Sequence, residues 1–168
     1  MSAYRRTIGG IAAAVLLGAA VTALSTTTWA TPREFAMHAE GYFDVTLTPQ
    51  KADNPQAEAA SLTRLSIDKR YHGSIEGVAH GEMLASGDGK QHGAYVAIEK
   101  IIATLDGRSG SFALVHRAVM NQGTPENWEI SVVPESGTGQ LAGISGTLTI
   151  MNRDGKHFYE LQYTRPGQ

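Results

Sequence analysis

The stretch GAYVAIEKIIATLDGRSGSFALVHRAVM, residues 93–120, holds two alternating apolar segments on either side of Asp106-Gly107. An Asp-Gly pair supplies the positive φ angles that a two-residue hairpin turn requires. Similar turn signals recur between Asp88 and Gly155, and the segments between them alternate with the two-residue period of a strand. The sequence therefore predicts long antiparallel hairpins that lie side by side.

The predicted architecture is an all-β, eight-stranded antiparallel up-and-down β-barrel. Closing the sheet into a barrel removes the exposed edges that an open sheet would leave, and a β-sandwich is the alternative. Residues 49–60 are polar and predict a loop, with a short helical turn at 56–60. The predicted strands span residues 39–48, 62–72, 74–86, 93–105, 110–120, 127–134, 141–151 and 156–164.

Residues 1–30 have the composition of a signal peptide, which is expected to be helical. Arg5-Arg6 forms a basic start, Ile8 to Leu24 is apolar and uncharged, and Thr28-Trp29-Ala30 offers the small residues that a signal peptidase reads. We expect cleavage after residue 30, export to the periplasm or the extracellular medium, and no stable membrane insertion afterwards. The alternative is an uncleaved membrane anchor. The paired arginines are also compatible with twin-arginine export.

The remaining residues, 31–168, have the size of one domain. Removing residues 1–30 takes away two of the 14 basic residues and none of the 16 acidic ones, which leaves a formal charge of −4. No basic patch is left for nucleic acid. The chain has no cysteine, so its stability must come from burial and strand pairing, and thiol chemistry is excluded.

Seven segments spread over most of residues 31–168 carry a recognisable pattern: 43–49, 71–77, 81–83, 93–99, 105–112, 133–139 and 154–157. In their order and spacing they resemble a bacterial domain-of-unknown-function family whose members share the allene-oxide-cyclase-like barrel. The resemblance implies an eight-stranded antiparallel barrel. It implies no reaction and supplies no catalytic residues, and the allene oxide cyclases themselves are distant relatives in fold only.

The strand pattern predicts a set of polar side chains inside the barrel. Glu99 and Tyr95 share one face of their strand, and His116 shares a face with Phe112 while the opposite face bears Arg117. Eight strands can enclose one small ligand. We therefore expect a small, largely apolar ligand inside the barrel, lined by Tyr95, Glu99, Phe112, His116 and Tyr159.

Glu76, His80 and Glu82 also share one face of a predicted strand. If that face points inward, these residues join the polar interior and add acid-base groups to it. If the opposite face, which carries Ile75 and Met83, points inward, the three residues lie in water. The sequence leaves both alternatives open.

Two further functions are compatible with the sequence. Apolar positions on an outer wall, such as Val96, Ile98 and Ile102, would indicate a structural or interaction barrel, including a homodimer. Glu99 or His116 as base with Tyr95 as proton donor would support an isomerase or cyclase. The six histidines show no spacing typical of a metal site, so no metal or cofactor is predicted. Charged residues within the strands, Lys69, Lys100, Arg117 and Glu129, argue against an outer-membrane barrel.

Overall fold

A computed structural model describes residues 37–88 and 91–165. The predicted signal peptide lies outside these residues. Within these two ranges, nine strands and one short helix follow one another: β1 (Met37–Gln50), α1 (Pro55–Ala60), β2 (Thr63–Gly73), β3 (Ile75–Gly87), β4 (His92–Leu105), β5 (Arg108–Asn121), β6 (Thr124–Val132), β7 (Thr138–Gly139), β8 (Ser145–Arg153) and β9 (Lys156–Thr164).

Eight of these strands close into an antiparallel barrel, which confirms the predicted architecture. Neighbours in the barrel follow the order β1, β2, β3, β4, β5, β6, β8 and β9, and β9 pairs with β1 to complete the ring. The two-residue strand β7 adds to the start of β5. In the described part of the chain, no helix is long and apolar enough to cross a membrane.

Tight turns set the register of the hairpins. Asp106 and Gly107 have φ angles of 48° and 77°, and Asp154 and Gly155 have 51° and 75°. Positive φ at both central residues is the requirement of the hairpin turn that the Asp-Gly pairs predicted. The polar connection after β1 forms α1 close to the predicted position, and the Asn54 side chain caps it by accepting a hydrogen bond from the Ala57 amide.

The sequence placed two strand boundaries wrongly. The predicted strand 141–151 begins only at Ser145, because residues 140–144 form consecutive turns and Leu141 folds back into the core with 0% exposure. The predicted strand 127–134 begins earlier, at Thr124, because a β-bulge lets the pairing continue past the irregular residue Asn127 (φ 50°).

One half of the barrel interior is filled by packed side chains. Inward residues of every long strand meet there, and Leu141 and Ile144 from the β7–β8 connection fill this end. Tyr159, Leu161 and Tyr163 of β9 belong to this core, as the sequence predicted. The opposite half, towards the start of β4 and the end of β5, is not filled in this way and holds the cavity described below.

Candidate functional site

The interior of the barrel contains a cavity of about 580 Å³. This volume lies within the range of small-molecule sites in proteins. Most of the wall is apolar, and Lys69 and His116 are two of its polar side chains. The other polar residues on the wall are Thr63, Ser86, Asp88, Asn152 and His157. The apolar and aromatic part of the wall includes Phe43, Val45, Leu47, Leu65, Ile67, Met83, Tyr95, Met120, Trp128 and Ile150.

A β-bulge places Trp128 on the cavity wall. Arg117 of β5 pairs with Glu129 of β6, but Val119 pairs with Glu126, so β6 has one residue more than β5 in this interval. The extra residue lets Trp128 stay on the inner side while Glu126 pairs with outward-facing Val119. Bulges commonly redirect a side chain in this manner.

A buried polar cluster lies beside the cavity and is centred on Glu99. The Oε1 atom of Glu99 accepts hydrogen bonds from the Lys69 ammonium at 2.9 Å, the Tyr71 hydroxyl at 3.0 Å and the His116 Nε2–H at 3.0 Å. Glu99 itself is completely buried. Its second oxygen, Oε2, is buried and has no hydrogen-bond partner among the described residues. One oxygen of the carboxylate therefore accepts three hydrogen bonds, while the other accepts none from the described residues.

The strand pairing explains why this cluster forms. Glu99 lies opposite Gly81 of β3, where a Cβ atom would come within 2.8 Å of the Glu99 Cβ and closer still to the backbone of β4. A glycine at this position therefore lets β3 and β4 approach beside the carboxylate. Lys69 reaches across from β2, and its ammonium lies 4.5 Å from the centre of the Phe43 ring, a cation–π contact.

Electrostatics keep Glu99 ionised. Burial raises the pKa of Glu99, but the hydrogen bond from His116 and the charge of Lys69 outweigh that effect and bring the pKa to about 2. Burial lowers the pKa of Lys69, and the neighbouring Glu99 charge opposes this shift. Burial and the Glu99 charge raise the pKa of the Tyr71 hydroxyl well above its ordinary value. The cluster is thus a buried ion pair with a neutral tyrosine and an imidazole attached to it.

His116 offers one free nitrogen. Because an ionised carboxylate can only accept hydrogen bonds, Nε2 of His116 must carry a proton, and in the neutral ring Nδ1 is then an acceptor. Nδ1 makes no hydrogen bond to any residue of the described ranges. The side chain lines the cavity together with Lys69, so these two residues offer the cavity N–H donors and a ring nitrogen acceptor.

The five predicted ligand residues divide into three groups. Tyr95 and His116 line the cavity. Glu99 lies behind the wall and is held by Lys69 and His116. Phe112 and Tyr159 are buried in the filled half of the barrel, where the Tyr159 hydroxyl accepts a hydrogen bond from the Ile75 amide at 2.8 Å. The structure therefore brings three of the five together and leaves two in the core.

Two other sequence interpretations are decided by the direction of the side chains. Glu76, His80 and Glu82 point to solvent, so the outward alternative is correct; His80 pairs with Asp68 and Glu82 with Arg64 on the outer surface. Lys69 does not argue against an outer-membrane barrel, contrary to the interpretation from the sequence. It is 8% exposed and faces the barrel interior rather than the outer wall. The sequence did contain an indication that Lys69 faces inward, because it shares one face of its strand with Ile67 and Tyr71.

Comparison with known proteins identifies the family. A family profile described as "Protein of unknown function (DUF3224)" matches residues 39–163, which include the whole barrel except its outermost residues. The chain belongs to the DUF3224 family. The crystal structure of a DUF3224 protein of unknown function from Shewanella oneidensis MR-1 is similar, with a TM-score of 0.70 and 37% sequence identity over 79% of this chain and 100% of that one. A search of curated proteins finds no match.

Membership of the DUF3224 family assigns no reaction, so the site has to be interpreted from its chemistry. In the ranges 37–88 and 91–165, no group of three or more His, Asp or Glu side chains is arranged to hold a metal ion. The DUF3224 barrel of this chain instead combines an apolar cavity with a compensated ion pair. That combination is the basis of the proposal below.

Proposed function

We propose that this DUF3224 protein is an exported barrel that binds a small, neutral and largely apolar molecule in its cavity. The observation that carries the proposal is the contrast within the wall: a mostly apolar surface around about 580 Å³, with the Lys69 ammonium and the His116 imidazole among its polar groups. Apolar sites with a few placed polar groups are typical of small-molecule binding. Export is supported by the composition of residues 1–30, and an allene-oxide-cyclase-like barrel by the segments that resemble that group.

The charge of the site favours a neutral ligand. The ammonium of Lys69 is already compensated by Glu99 at 2.9 Å. An anionic head group would meet this carboxylate as well as the ammonium, and moving an uncompensated charge into a buried site costs several kcal/mol, on the order of the penalties for buried ions. A hydroxyl or carbonyl group can use the Lys69 donors or the His116 acceptor without that cost.

The experiment is a titration of the full chain with 1-decanol, followed by native mass spectrometry and by the fluorescence of Trp128, which lines the cavity. Ala97 is buried and also lines the cavity, so Ala97→Trp should fill the space and abolish binding. Val96→Trp, which adds the same ring at an exposed outer position of the same strand, is the matched control and should bind like the wild type. A wild-type chain that retains no alcohol would refute the proposal.

A second candidate function is self-association through the outer face of β3, β4 and β5. Val96, Ile98 and Ile102 of β4 are more than half exposed, and they lie beside exposed apolar residues of β3 and β5, Leu84, Val115 and Val119. Two of the charges on this face are paired, Glu82 with Arg64 and Arg117 with Glu129, and the exposed Lys100 of β4 lies between Ile98 and Ile102. An apolar surface whose charges are mostly compensated fits a second copy of itself better than a highly charged partner.

Acid–base catalysis, as in an isomerase or cyclase, is favoured by the hydrogen bond between Glu99 and His116. A carboxylate that fixes the imidazole tautomer leaves Nδ1 as the available base. Glu99 itself is a weak base because its pKa is about 2. His116→Ala should then abolish turnover of a bound substrate and leave the fold intact. Unchanged turnover in that variant would exclude this mechanism.

A further inference from the structure

Lys69 is in an unusual position for a lysine. Among the described residues, Lys51, Lys100 and Lys156 are exposed, whereas Lys69 is buried within the barrel and lines the cavity. Its ammonium lies over the Phe43 ring and faces the Glu99 carboxylate. An amine at the wall of an apolar cavity is the arrangement that forms Schiff bases with carbonyl compounds.

We propose that Lys69 forms a reversible imine with an aldehyde whose apolar chain occupies the cavity. This inference rests on the proposed function, because it requires that the cavity accept an apolar molecule. It adds the chemical class of the ligand and the atom to which it is attached.

The reaction balances without an external oxidant or reductant. The Lys69 ammonium first gives up a proton to solvent, and its nitrogen lone pair attacks the aldehyde carbon to form a C–N bond. The nitrogen then loses a second proton while the carbonyl oxygen takes one up, which gives a neutral carbinolamine. The C–O bond then breaks with the uptake of another proton, and water leaves. The sum is one ammonium and one aldehyde converted to one protonated imine and one water, so the charge at Nζ is the same before and after.

Conservation of this charge is the reason that the site suits an imine. The protonated imine keeps one N–H, which is enough to maintain the hydrogen bond to Glu99 Oε1 that spans 2.9 Å in the free protein. No buried charge is created or lost, so the carboxylate acts as counter-ion in both states. Burial also lowers the pKa of Lys69, which increases the fraction of free amine available for attack.

His116 is placed to handle the protons. Its Nε2 and the Lys69 ammonium bond the same oxygen of Glu99, so the imidazole lies close to the reacting nitrogen. Nδ1 lies on the other side of the ring from the Glu99 contact, and it can exchange a proton with the oxygen of an aldehyde in the cavity that His116 lines. His116 is therefore a general acid–base for imine formation, while Glu99 orients it.

The test uses the full chain, decanal as the aldehyde probe and sodium cyanoborohydride, which reduces an imine to a stable amine. Peptide mapping by mass spectrometry then gives the label at each lysine. We expect Lys69 to carry severalfold more label than the exposed Lys100 at neutral pH, because the apolar cavity holds the aldehyde beside its amine and burial lowers its pKa. An excess of 1-decanol, which fills the same cavity and cannot form an imine, should protect Lys69 and leave Lys100 unchanged.

Lys69→Arg keeps the positive charge for Glu99 but cannot be labelled in this manner, so it should show only the background on exposed lysines. Because Lys69 and Lys100 are compared within the wild-type chain, the result does not depend on the folding of a variant. Equal label at both lysines, or none at Lys69, overturns the imine. If 1-decanol binds while Lys69 stays unlabelled, only the imine is lost. If neither compound binds, the proposed function is lost as well.

Discussion

The Lys69 ammonium lies 2.9 Å from the Glu99 carboxylate inside the barrel, and both side chains are almost completely buried. Removing one member of a buried pair leaves the other charge without compensation. We predict that Glu99→Gln lowers the free energy of unfolding by about 3–5 kcal/mol, the usual cost of breaking a buried pair from one side. Urea denaturation at neutral pH measures this loss.

Two controls separate charge from packing in that experiment. Adding Lys69→Met to Glu99→Gln removes the orphaned cation and keeps an amide oxygen for Tyr71 and His116, so the double variant should be more stable than Glu99→Gln alone. Glu82→Gln makes the same chemical change in an exposed pair with Arg64 and should cost much less. Equal losses in Glu99→Gln and Glu82→Gln would contradict the buried pair as a source of stability.

Stability should also depend on pH through Glu99. Its pKa of about 2 in the folded chain lies below the ordinary value of 4.5. Protons therefore bind the unfolded chain more readily, so the contribution of Glu99 is complete above about pH 4.5 and is lost as the pH falls towards 2. Urea midpoints measured across this interval should fall more steeply for the wild type than for Glu99→Gln. Parallel curves would show that Glu99 titrates normally in the fold.

The filled end of the barrel depends on Tyr159. Its hydroxyl accepts a hydrogen bond from the Ile75 amide at 2.8 Å, in a region without access to solvent. Tyr159→Phe leaves that amide without a partner, and we predict a loss of about 1–3 kcal/mol in the free energy of unfolding. Tyr163→Phe is the control. The hydroxyl of Tyr163 donates a hydrogen bond to the carboxylate of Asp106, and because Asp106 is exposed, water can replace that donor. A larger loss of unfolding free energy in Tyr163→Phe than in Tyr159→Phe would contradict the stabilising role of the hydrogen bond between Tyr159 and Ile75.

Self-association makes a prediction at Ile98, which is 59% exposed on the outer face of β4. If two copies meet at this face, sedimentation velocity should show a dimer for the wild type and a monomer for Ile98→Glu, because a buried unpaired carboxylate opposes association. Lys100→Glu introduces the same carboxylate at an exposed charged position of the same face. It tests whether a change of charge on this face, without the loss of an apolar side chain, is enough to prevent association. A wild-type chain that stays monomeric at all concentrations would rule out the dimer.

Much of the fold could be predicted because local signals determined it. The Asp-Gly pairs at 106–107 and 154–155 fixed the hairpin turns, and the alternation of apolar residues fixed which segments became strands. The errors arose where tertiary packing overrides the local pattern. Leu141 looks like the start of a strand, but it is used to fill the end of the barrel. The bulge near Asn127 carries no clear signal in a single sequence.

The candidate site could be predicted only in part. Tyr95, Glu99 and His116 were identified because their strands alternate clearly, and the structure places them in or beside the cavity. Lys69 was missed because a charged residue within a strand is usually directed to solvent. Glu99 needs a counter-charge, and Lys69 supplies it because β2 and β4 lie on either side of β3. This contact between two strands cannot be predicted from either strand alone.

The location of a bound ligand tests the central claim most directly. A crystal of the full chain soaked with 10-bromo-1-decanol would show the bromine by its anomalous scattering and the hydroxyl by its hydrogen bonds. We predict that the hydroxyl lies within hydrogen-bond distance of Lys69 Nζ or His116 Nδ1, and that the bromine lies towards Leu47 or Met120 on the apolar wall. Bromine only on the outer surface, with the cavity unoccupied by the alcohol, would contradict the account.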